Sequence, residues 1–397
     1  MGTVKDLIII KEPTKTKMGL GDFWFKEFPD ADGIEGGTFS VKDYGIMPTE
    51  KKPDLIPAKG QVLCIVGALL FEYLRKRGID SHYLGVVGPN GEVVRVNQLT
   101  EPTNRMRICV SRVIPPKFDP SLPSRYDYSF FTEGQGKIDN YVVPIECIYR
   151  NALPYGSSKR KKIVEAYERE DMDSVNEQLE ELGLTLDSLE KILGKETVWL
   201  PRPYKEFTTK YEQDDRDLGT AKKDSAAFEI SGMTRDKFES SKKLIDDGNE
   251  ATSRFYELVG LINGIEIGHL DGKGEIVLSG YPLFGDVFGT LDEIRADVDG
   301  FQVSKEPVRQ WYDTFKPEWS AAVKAAKKEA RDRALPEWTD LVKVATPRLP
   351  DEYRRLMGEM YQAFGNLVTY AVLKQDWWPT ARPIGEVLKD VHSYLEG

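Results

Sequence analysis

Short apolar runs and helical repeats divide the chain into a strand-rich first part and a helical last part. The runs lie at residues 7–10, 23–28, 107–113 and 141–148. Glycine and proline separate them, a pattern that predicts sheet strands joined by turns. Over residues 60–77, apolar side chains recur at three- and four-residue spacing, which predicts a helix that ends at Gly78 and packs one face on a sheet.

The second half of the chain predicts helices in blocks. Residues 158–200 are mostly charged or polar with a narrow Leu/Ile/Val stripe, which predicts a helical insertion. A further helix is predicted from about Arg235 to Gly260. Residues 262–267 and 275–278, with DGKG between them, predict a β-hairpin.

From Pro307 onward the pattern is helical, and one helix is predicted from about Asp351 to Leu373. Antiparallel hairpins combined with helices in blocks favour an α+β architecture over alternating βαβ units. The sequence contains no internal repeat.

Composition and charge narrow the class of protein. The 397 residues suggest two or three compact units, and a net charge of −10 argues against a protein whose whole surface binds nucleic acid. No apolar segment approaches the ~20 residues of a membrane span, and no secretory signal is apparent. Three cysteines without CxxC spacing fit a reducing compartment, so we expect a cytoplasmic protein. With three histidines, any metal is expected to have oxygen ligands, as Mg²⁺ does.

Residues 142–158 have the composition of a phosphate-binding segment. A predicted strand carries Glu146 and Arg150, and the turn after it contains Gly156, Ser157 and Ser158. Backbone N–H groups, hydroxyls and the two-pronged guanidinium together suit a phosphate. The alternative is an ordinary polar turn with a surface arginine–glutamate pair.

This segment resembles the signature of the SAICAR synthetase family, a ligase family of purine biosynthesis. Three more segments and a carboxy-terminal helix like that of the longer, eukaryote-like members resemble the family in the same order. The matching residues are Lys59, Gly60, Gly78, Ile79, His82, Pro144, Glu146, Arg150, Gly156, Ser157, Gly285, Asp286, Asp292, Arg295, Lys305 and Arg309.

The resemblance implies an α+β fold of two lobes with antiparallel sheets and an ATP cleft between the lobes. It implies a nucleotide-binding lobe at residues 1–110 and a substrate and metal lobe at 111–315 that contains the insertion. A carboxy-terminal helical region, 316–397, is expected to pack on this core. The implied activity is an ATP-dependent, Mg²⁺-assisted ligase that joins the carboxylate of an aminoimidazole ribotide to the amine of aspartate or a similar amino acid.

The resemblance also implies roles for individual residues. Catalysis is assigned to Glu266, Lys210 and Asp286, and the metal to Glu266 and Asp286. Nucleotide binding is assigned to Lys15, Lys17, Gly19, Glu146 and Lys59, although the loop with the first three also fits a solvated basic hairpin. Substrate binding is assigned to Ser40, Asp43, Arg150, Gly156, Ser157, Ser158, Asp292, Arg295, Lys305 and Arg309. Two arginines and a hydroxyl match a phosphate dianion in charge and geometry.

One segment departs from the family. Members carry Asp-x-Lys-x-Glu-Phe-Gly before the hairpin, and residues 261–268, LINGIEIG, take that place with Asn263 for the aspartate, no lysine, and Glu266 retained. Either the substrate differs from the family's, or another lysine, of which Lys210 is the candidate, takes the place of the missing one. His269 could lie near the site, but we expect it to be a solvated hairpin residue.

Three functions stay open on this basis. The first is the SAICAR-synthetase-like ligase, the second a specialised-metabolite relative with a changed amine or heterocycle, and the third a non-catalytic nucleotide-binding relative. The expected partners are a ribose-phosphate carboxylate and an amino acid or other amine, with no nucleic acid and no membrane. A homo-oligomer is possible.

Overall fold

The structure is a computed structural model, and it describes the greater part of the chain. The described residues are 5–25, 27–29, 35–38, 55–194, 196–212, 216–274, 276–278, 282–284, 295–335, 338–344 and 346–397. They form 20 strands and 11 α-helices. No helix within these ranges is both long and apolar enough to cross a membrane.

Most of the strands are short, and the strands within each sheet pair antiparallel. They are β1 (Lys5–Lys11), β2 (Gly19–Phe25), β3 (Glu27–Pro29), β4 (Glu35–Thr38), β5 (Leu55–Pro57), β6 (Tyr83–Val87), β7 (Val93–Val94), β8 (Arg105–Val110), β9 (Lys117–Phe118), β10 (Tyr126–Asp127), β11 (Tyr141–Val142), β12 (Ile145–Leu153), β13 (Val198–Thr209), β14 (Asp217–Thr220), β15 (Ile267–His269), β16 (Asp271–Gly274), β17 (Ile276–Leu278), β18 (Pro282–Phe284), β19 (Ala296–Val298) and β20 (Phe301–Val303).

The helices concentrate in the second half of the chain. They are α1 (Lys59–Lys76), α2 (Ser129–Glu133), α3 (Ser158–Glu168), α4 (Met172–Leu182), α5 (Leu189–Leu193), α6 (Ser225–Ser231), α7 (Arg235–Asn263), α8 (Glu306–Phe315), α9 (Pro317–Asp332), α10 (Asp351–Leu373) and α11 (Ile384–Glu396). This mixture of antiparallel sheet and helix confirms the α+β class.

A five-stranded sheet in the order β1-β2-β8-β6-β7 packs against α1. The predicted helix over residues 60–77 is confirmed by α1, whose apolar side chains are almost all buried. It ends before Gly78, whose φ of 77° lies in the left-handed region that glycine tolerates.

The second large sheet has the order β14-β13-β12-β16, and the predicted insertion leaves it after β12. Helices α3, α4 and α5 confirm that insertion, which ends where β13 begins at Val198. The insertion has a hydrophobic cluster of its own, separate from the main core, in which Ile163, Val175, Leu179 and Ile192 are buried.

The predicted β-hairpin at residues 262–278 is wrong at its first strand and its turn. Helix α7 continues through Asn263. It ends there because Gly264 adopts a φ of 69°, in the left-handed region. The DGKG segment, predicted as a turn, is strand β16 and pairs with β12. Gly272 permits this pairing, since a Cβ there would collide with the hydroxyl of Tyr149.

The carboxy-terminal helices pack on the rest of the molecule. Helix α10 confirms the predicted helix from Asp351 to Leu373 and contacts α1, α7 and α11. The main hydrophobic cluster runs from Phe23 to Val391 and draws residues from all three predicted regions. The boundaries at residues 110 and 315 stay predictions.

Candidate functional site

A cavity of about 350 Å³ opens where strands β12, β13 and β16 meet the start of α3 and the start of α8. It brings together residues that are far apart in the sequence. The predicted substrate residues that line it are Arg150, Gly156, Ser157, Ser158, Arg295, Lys305 and Arg309.

The charge of the cavity differs in sign from that of the chain. Its lining contains six lysines or arginines and four carboxylates, an excess of two positive charges, whereas the chain carries a net −10. A concave site of this kind concentrates positive potential and favours an anionic ligand. Six of the 55 basic residues of this acidic chain are thus gathered where a small anion can reach them.

Arg150 lies on the floor of the cavity and is only 6% exposed. Its Nη2 donates to Glu206 Oε1 at 2.6 Å and to Ser158 Oγ at 3.1 Å, and its Nη1 donates to Asp271 Oδ2 at 3.3 Å. A buried guanidinium needs such partners because an unpaired charge in the interior is costly. The carboxylates hold its planar fork in one orientation before any ligand arrives.

Asp271 binds a second arginine as well. Arg295 Nη1 donates to both oxygens of this carboxylate, each at 3.0 Å, and Asp271 is 2% exposed. Burial alone raises the pKa of Asp271, but Arg295 and Arg150 outweigh it and hold the pKa below its usual value. Neither Asp271 nor Glu206 was among the residues predicted from the sequence.

The amino terminus of α3 forms a wall of the cavity. Ser157 is its N-cap residue, and Ser157 Oγ is buried without a hydrogen-bond partner among the described residues. The first turn of the helix contains no acidic residue and begins with Ser158 and the buried Lys159. Lys159 Nζ lies 3.5 Å from Glu206 Oε2, so one carboxylate holds two cavity cations. A helix terminus with these donors is suited to bind an anion.

Glu306 approaches the same wall from α8. Its carboxyl group lies against Gly156, where a Cβ would overlap it, and its Oε2 accepts from Arg309 Nη1 at 3.2 Å. Burial raises the pKa of Glu306, and the nearby Arg309 and Lys161 offset this only in part.

The predicted catalytic residue Glu266 lies elsewhere. It is exposed, its backbone N–H donates to Asp299 Oδ1 at 3.1 Å, and it is not among the residues that line the cavity. Asn263, expected in place of the family's aspartate, is the last residue of α7, and its amide donates to Leu367 O at 3.1 Å. The structure therefore does not bring residues 261–268 to the cavity.

The spacing Asp-x-Lys-x-Glu nevertheless occurs intact in the chain, at Asp271, Lys273 and Glu275. Strand β16 carries the first two, and Asp271 is the register partner of Arg150. The side chains of Lys273 and Glu275 lie outside the described part of the structure. This spacing is the sequence signal that could have identified Asp271, and the turn-like composition of DGKG concealed it.

Lys210, which directly follows β13, and Glu146 on β12 lie side by side, apart from the lining of the cavity. The Lys210 Nζ to Glu146 Oε1 distance is 4.0 Å, and Lys210 Nζ lies 5.8 Å from the centre of the Tyr211 ring. Lys59, the first residue of α1, is buried with its Nζ 5.6 Å from the centre of the Tyr361 ring.

The predicted nucleotide loop joins β1 to β2 and exposes Lys15 and Lys17. Asn140 holds its backbone, because its Nδ2 donates to Thr14 O at 2.7 Å and to Lys17 O at 2.6 Å. Gly19 is required where the loop ends, since a Cβ there would overlap the carbonyl of residue 11. The remaining predicted residues, Ser40, Asp43, Asp286 and Asp292, lie outside the described residues.

The described residues contain no group of three histidine, cysteine or acidic side chains that could hold a metal ion. Asp271 is bonded to two arginines, and Glu266 is remote from the cavity. The predicted Mg²⁺ ligand Asp286 lies in the part of the chain that the structure does not describe. The metal site therefore stays a prediction.

His269 was predicted as a solvated hairpin residue, and this is wrong. It is 3% exposed and packs between the rings of Tyr149 and Tyr256, with centroid distances of 5.6 and 5.5 Å. Burial lowers the pKa of His269 from 6.5 to about 4. It is the last residue of β15, two residues before Asp271.

Comparison with known proteins gives a consistent picture. The family model for SAICAR synthetase matches residues 49–326. The chain is 38% identical over 371 residues to a putative phosphoribosylaminoimidazole-succinocarboxamide synthase of Archaeoglobus fulgidus, with 93% of each chain covered. It is 28% identical to the synthase of that name from Thermoplasma acidophilum, covering 82% of this chain and 88% of the other. The SAICAR synthase of Saccharomyces cerevisiae complexed with SAICAR superposes with a TM-score of 0.45 at 15% identity, covering 94% and 96% of the two chains.

Proposed function

Because this chain belongs to the SAICAR synthetase family, we propose that its cavity binds an aminoimidazole ribotide whose carboxylate is joined to the amine of aspartate. The family assignment makes the protein an ATP-dependent ligase that forms a carbon–nitrogen bond. The identity of both organic substrates is the part that we propose.

The observation that carries the proposal is the arginine pair bound to one carboxylate. Arg150 and Arg295 both donate to Asp271, at the cavity that also receives the N-cap serine of α3. Two guanidinium groups oriented by one carboxylate are suited to a phosphate dianion, which needs several donors at once. We assign the 5′-phosphate of the ribotide to this group of residues.

Amide formation from a carboxylate requires a better leaving group than oxide. In the proposed reaction a carboxylate oxygen attacks the γ-phosphorus of ATP, the bond to the β-phosphate oxygen breaks, and ADP leaves. The amine nitrogen then attacks the acyl carbon of the acyl phosphate, inorganic phosphate leaves, and the nitrogen loses a proton. The protein contributes by holding the reactants together and by balancing negative charge.

We assign the family's Asp-x-Lys-x-Glu motif to Asp271, Lys273 and Glu275. The support is the intact spacing and the position of Asp271 at the cavity. In this assignment Lys273 balances the reacting carboxylate, so Lys210 is not needed as a substitute. The apparent loss of a carboxylate and a lysine, which had favoured a specialised or non-catalytic relative, then disappears.

The nucleotide is proposed to bind along the β1–β2 loop, with Lys15 and Lys17 near its phosphates and Lys59 and Glu146 as further contacts. Gly19 keeps the loop backbone close to the strand before it. Mg²⁺ is proposed to accompany ATP through carboxylates that include Asp286, because this ion prefers carboxylates together with substrate phosphates.

The test is ADP release from the purified chain with ATP, Mg²⁺, carboxyaminoimidazole ribotide and aspartate. We expect turnover that requires both organic substrates. Arg150→Gln should raise the KM for the ribotide at least tenfold and leave the KM for ATP unchanged. Arg169→Gln, an exposed arginine on the insertion, is the matched control and should change neither constant.

Absence of ADP release above background with aspartate would overturn the proposed substrate pair. A screen of other amines then separates the remaining functions. Turnover with another amine would indicate a specialised relative, whereas tight ATP binding without turnover on any amine would indicate a non-catalytic one.

A further inference from the structure

The four carboxylates that line the cavity do not serve the same purpose. Glu206 binds Arg150 and Lys159, and Asp271 binds Arg150 and Arg295, so both orient cations. Asp217 is 56% exposed and lies 4.0 Å from Lys162. The fourth carboxylate is Glu306. Unlike Glu206 and Asp271 it does not hold two cations of the cavity, and unlike Asp217 it is buried.

Glu306 is 7% exposed, and within the described residues only one of its two oxygens is hydrogen-bonded. Among the described residues, Arg309 is the single side chain that donates to its carboxylate, and it does so to Oε2. The carboxyl group lies against Gly156, directly before the N-cap serine of α3. Any larger residue at position 156 would displace it, so the absence of a side chain there lets the carboxylate reach the cavity wall.

A carboxylate at this position is unfavourable for a bare phosphate. It repels an anion at the α3 terminus, and its second oxygen, Oε1, accepts from no described side chain, so it can accept a hydrogen bond from a ligand. A sugar phosphate suits both the cations and Glu306. Its phosphate binds the cations, and its hydroxyl groups can donate a hydrogen bond to the carboxylate. Inorganic phosphate, HPO₄²⁻, keeps one P–OH group, but it has no hydroxyl away from its charged oxygens that could reach Glu306 while those oxygens bind the cations.

We propose that Glu306 is a specificity-determining residue that accepts a hydrogen bond from a ribose hydroxyl of the bound sugar phosphate. The inference rests on the proposed function for the phosphate position and adds the group that recognises the sugar. It separates ligands with a full set of hydroxyls from deoxy sugars and from free phosphate.

The test measures binding rather than turnover, so its failure is distinguishable from a failure of the proposed reaction. Ribose 5-phosphate, 2-deoxyribose 5-phosphate and inorganic phosphate are titrated by calorimetry into the full chain without ATP. The wild type should bind ribose 5-phosphate about tenfold more tightly than the deoxy sugar, as expected for one hydrogen bond to a charged group.

In Glu306→Gln this preference should fall below threefold, while inorganic phosphate should bind as well as before or more tightly. Arg309→Met is the matched control for an indirect role. If Glu306 acts only by orienting Arg309, this variant should lose the preference too. Under our proposal it lowers the affinity for both sugar phosphates by the same factor, so the ratio of the two affinities stays as in the wild type.

Gly156→Ala provides a second route, because the added methyl group displaces the Glu306 carboxyl without changing its charge. It should lose the preference as Glu306→Gln does, which keeps the proposal testable if one variant fails to fold. A wild type that shows no preference or binds neither sugar, or a Glu306→Gln variant that keeps the preference, would overturn the proposal.

Discussion

Arg150 and Asp271 face each other as register partners across β12 and β16, and their side chains meet in the cavity with Nη1 and Oδ2 3.3 Å apart. Backbone pairing therefore sets the distance between the two charges. Arg295, the residue directly before β19, also donates to Asp271, so one carboxylate on a strand orients two arginines. Rigid strands are a precise support for such a site.

Replacing Asp271 by asparagine separates orientation from charge. Asp271→Asn removes a negative charge from an anion site, which by charge alone should tighten ribotide binding. We expect the opposite, an increase of at least tenfold in the KM for the ribotide, because both arginines lose their anchor. Asp217→Asn removes a cavity carboxylate that contacts none of the described arginines, and it should leave this KM equal or lower. A decrease in KM for Asp271→Asn in steady-state kinetics would contradict the orienting role.

Two substitutions test where the Asp-x-Lys-x-Glu motif lies. Lys273→Met should lower kcat at least 100-fold, because the cation that balances the reacting carboxylate is lost. Glu266→Gln should leave kcat within twofold, since Glu266 is exposed and outside the cavity. The rates of ADP release at saturating substrate concentrations decide between the two positions of the motif. The reverse pattern would return the motif to residues 261–268.

His269 makes stability depend on pH. Its pKa is about 4 when folded and about 6.5 when unfolded, so between these values the unfolded chain binds more protons. The stabilising effect of a neutral His269 is present above pH 6.5 and is lost as the pH falls toward 4. Over this range the free energy of unfolding should fall by about 3 kcal/mol.

Urea unfolding at pH 7, 5.5 and 4.5 measures this effect. His269→Phe preserves a ring between Tyr149 and Tyr256 and should flatten the decrease in the free energy of unfolding over this range. The matched control is His392→Gln, at a half-exposed position on α11, which should retain the wild-type slope. An unchanged slope in His269→Phe would show that other groups cause the pH dependence.

Arg160 connects α3 to the end of the insertion and to the last residue of β12. This buried guanidinium follows Lys159 in α3 and, in the part of the chain that the structure describes, donates only to backbone carbonyls. The acceptors are the carbonyl oxygens of Leu153, Lys191, Ile192, Gly194 and Glu196, at 2.5–3.1 Å.

We expect Arg160→Met to destabilise the insertion by about 2–3 kcal/mol, because several buried carbonyls lose a charged donor. Amide hydrogen exchange should accelerate in residues 158–193 and stay unchanged in α10, since the insertion has its own hydrophobic cluster. Arg169→Gln, at an exposed position just beyond α3, should leave exchange unchanged. Uniform acceleration across the chain would instead indicate that the insertion unfolds together with the core.

The sequence by itself determined the elements whose pattern is local. The helices around Val62–Leu74, at residues 158–193 and at Asp351–Leu373 follow from apolar periodicity and glycine stops, and the structure confirms them. The motif at Arg150 and Ser157 also identified the family, because spacing within one strand and turn survives in the linear sequence.

Tertiary structure alone decided which residues complete the cavity. Glu206, Asp271 and Glu306 come from positions 56, 121 and 156 residues beyond Arg150, and each is recognisable only by what it contacts. The segment DGKG has the composition of a turn, yet pairing with β12 makes it a strand and brings Asp271 to Arg150. Local composition indicates which structure a segment favours in isolation. A buried charge needs an oppositely charged or hydrogen-bonding partner, and only the tertiary structure decides which residue that partner is.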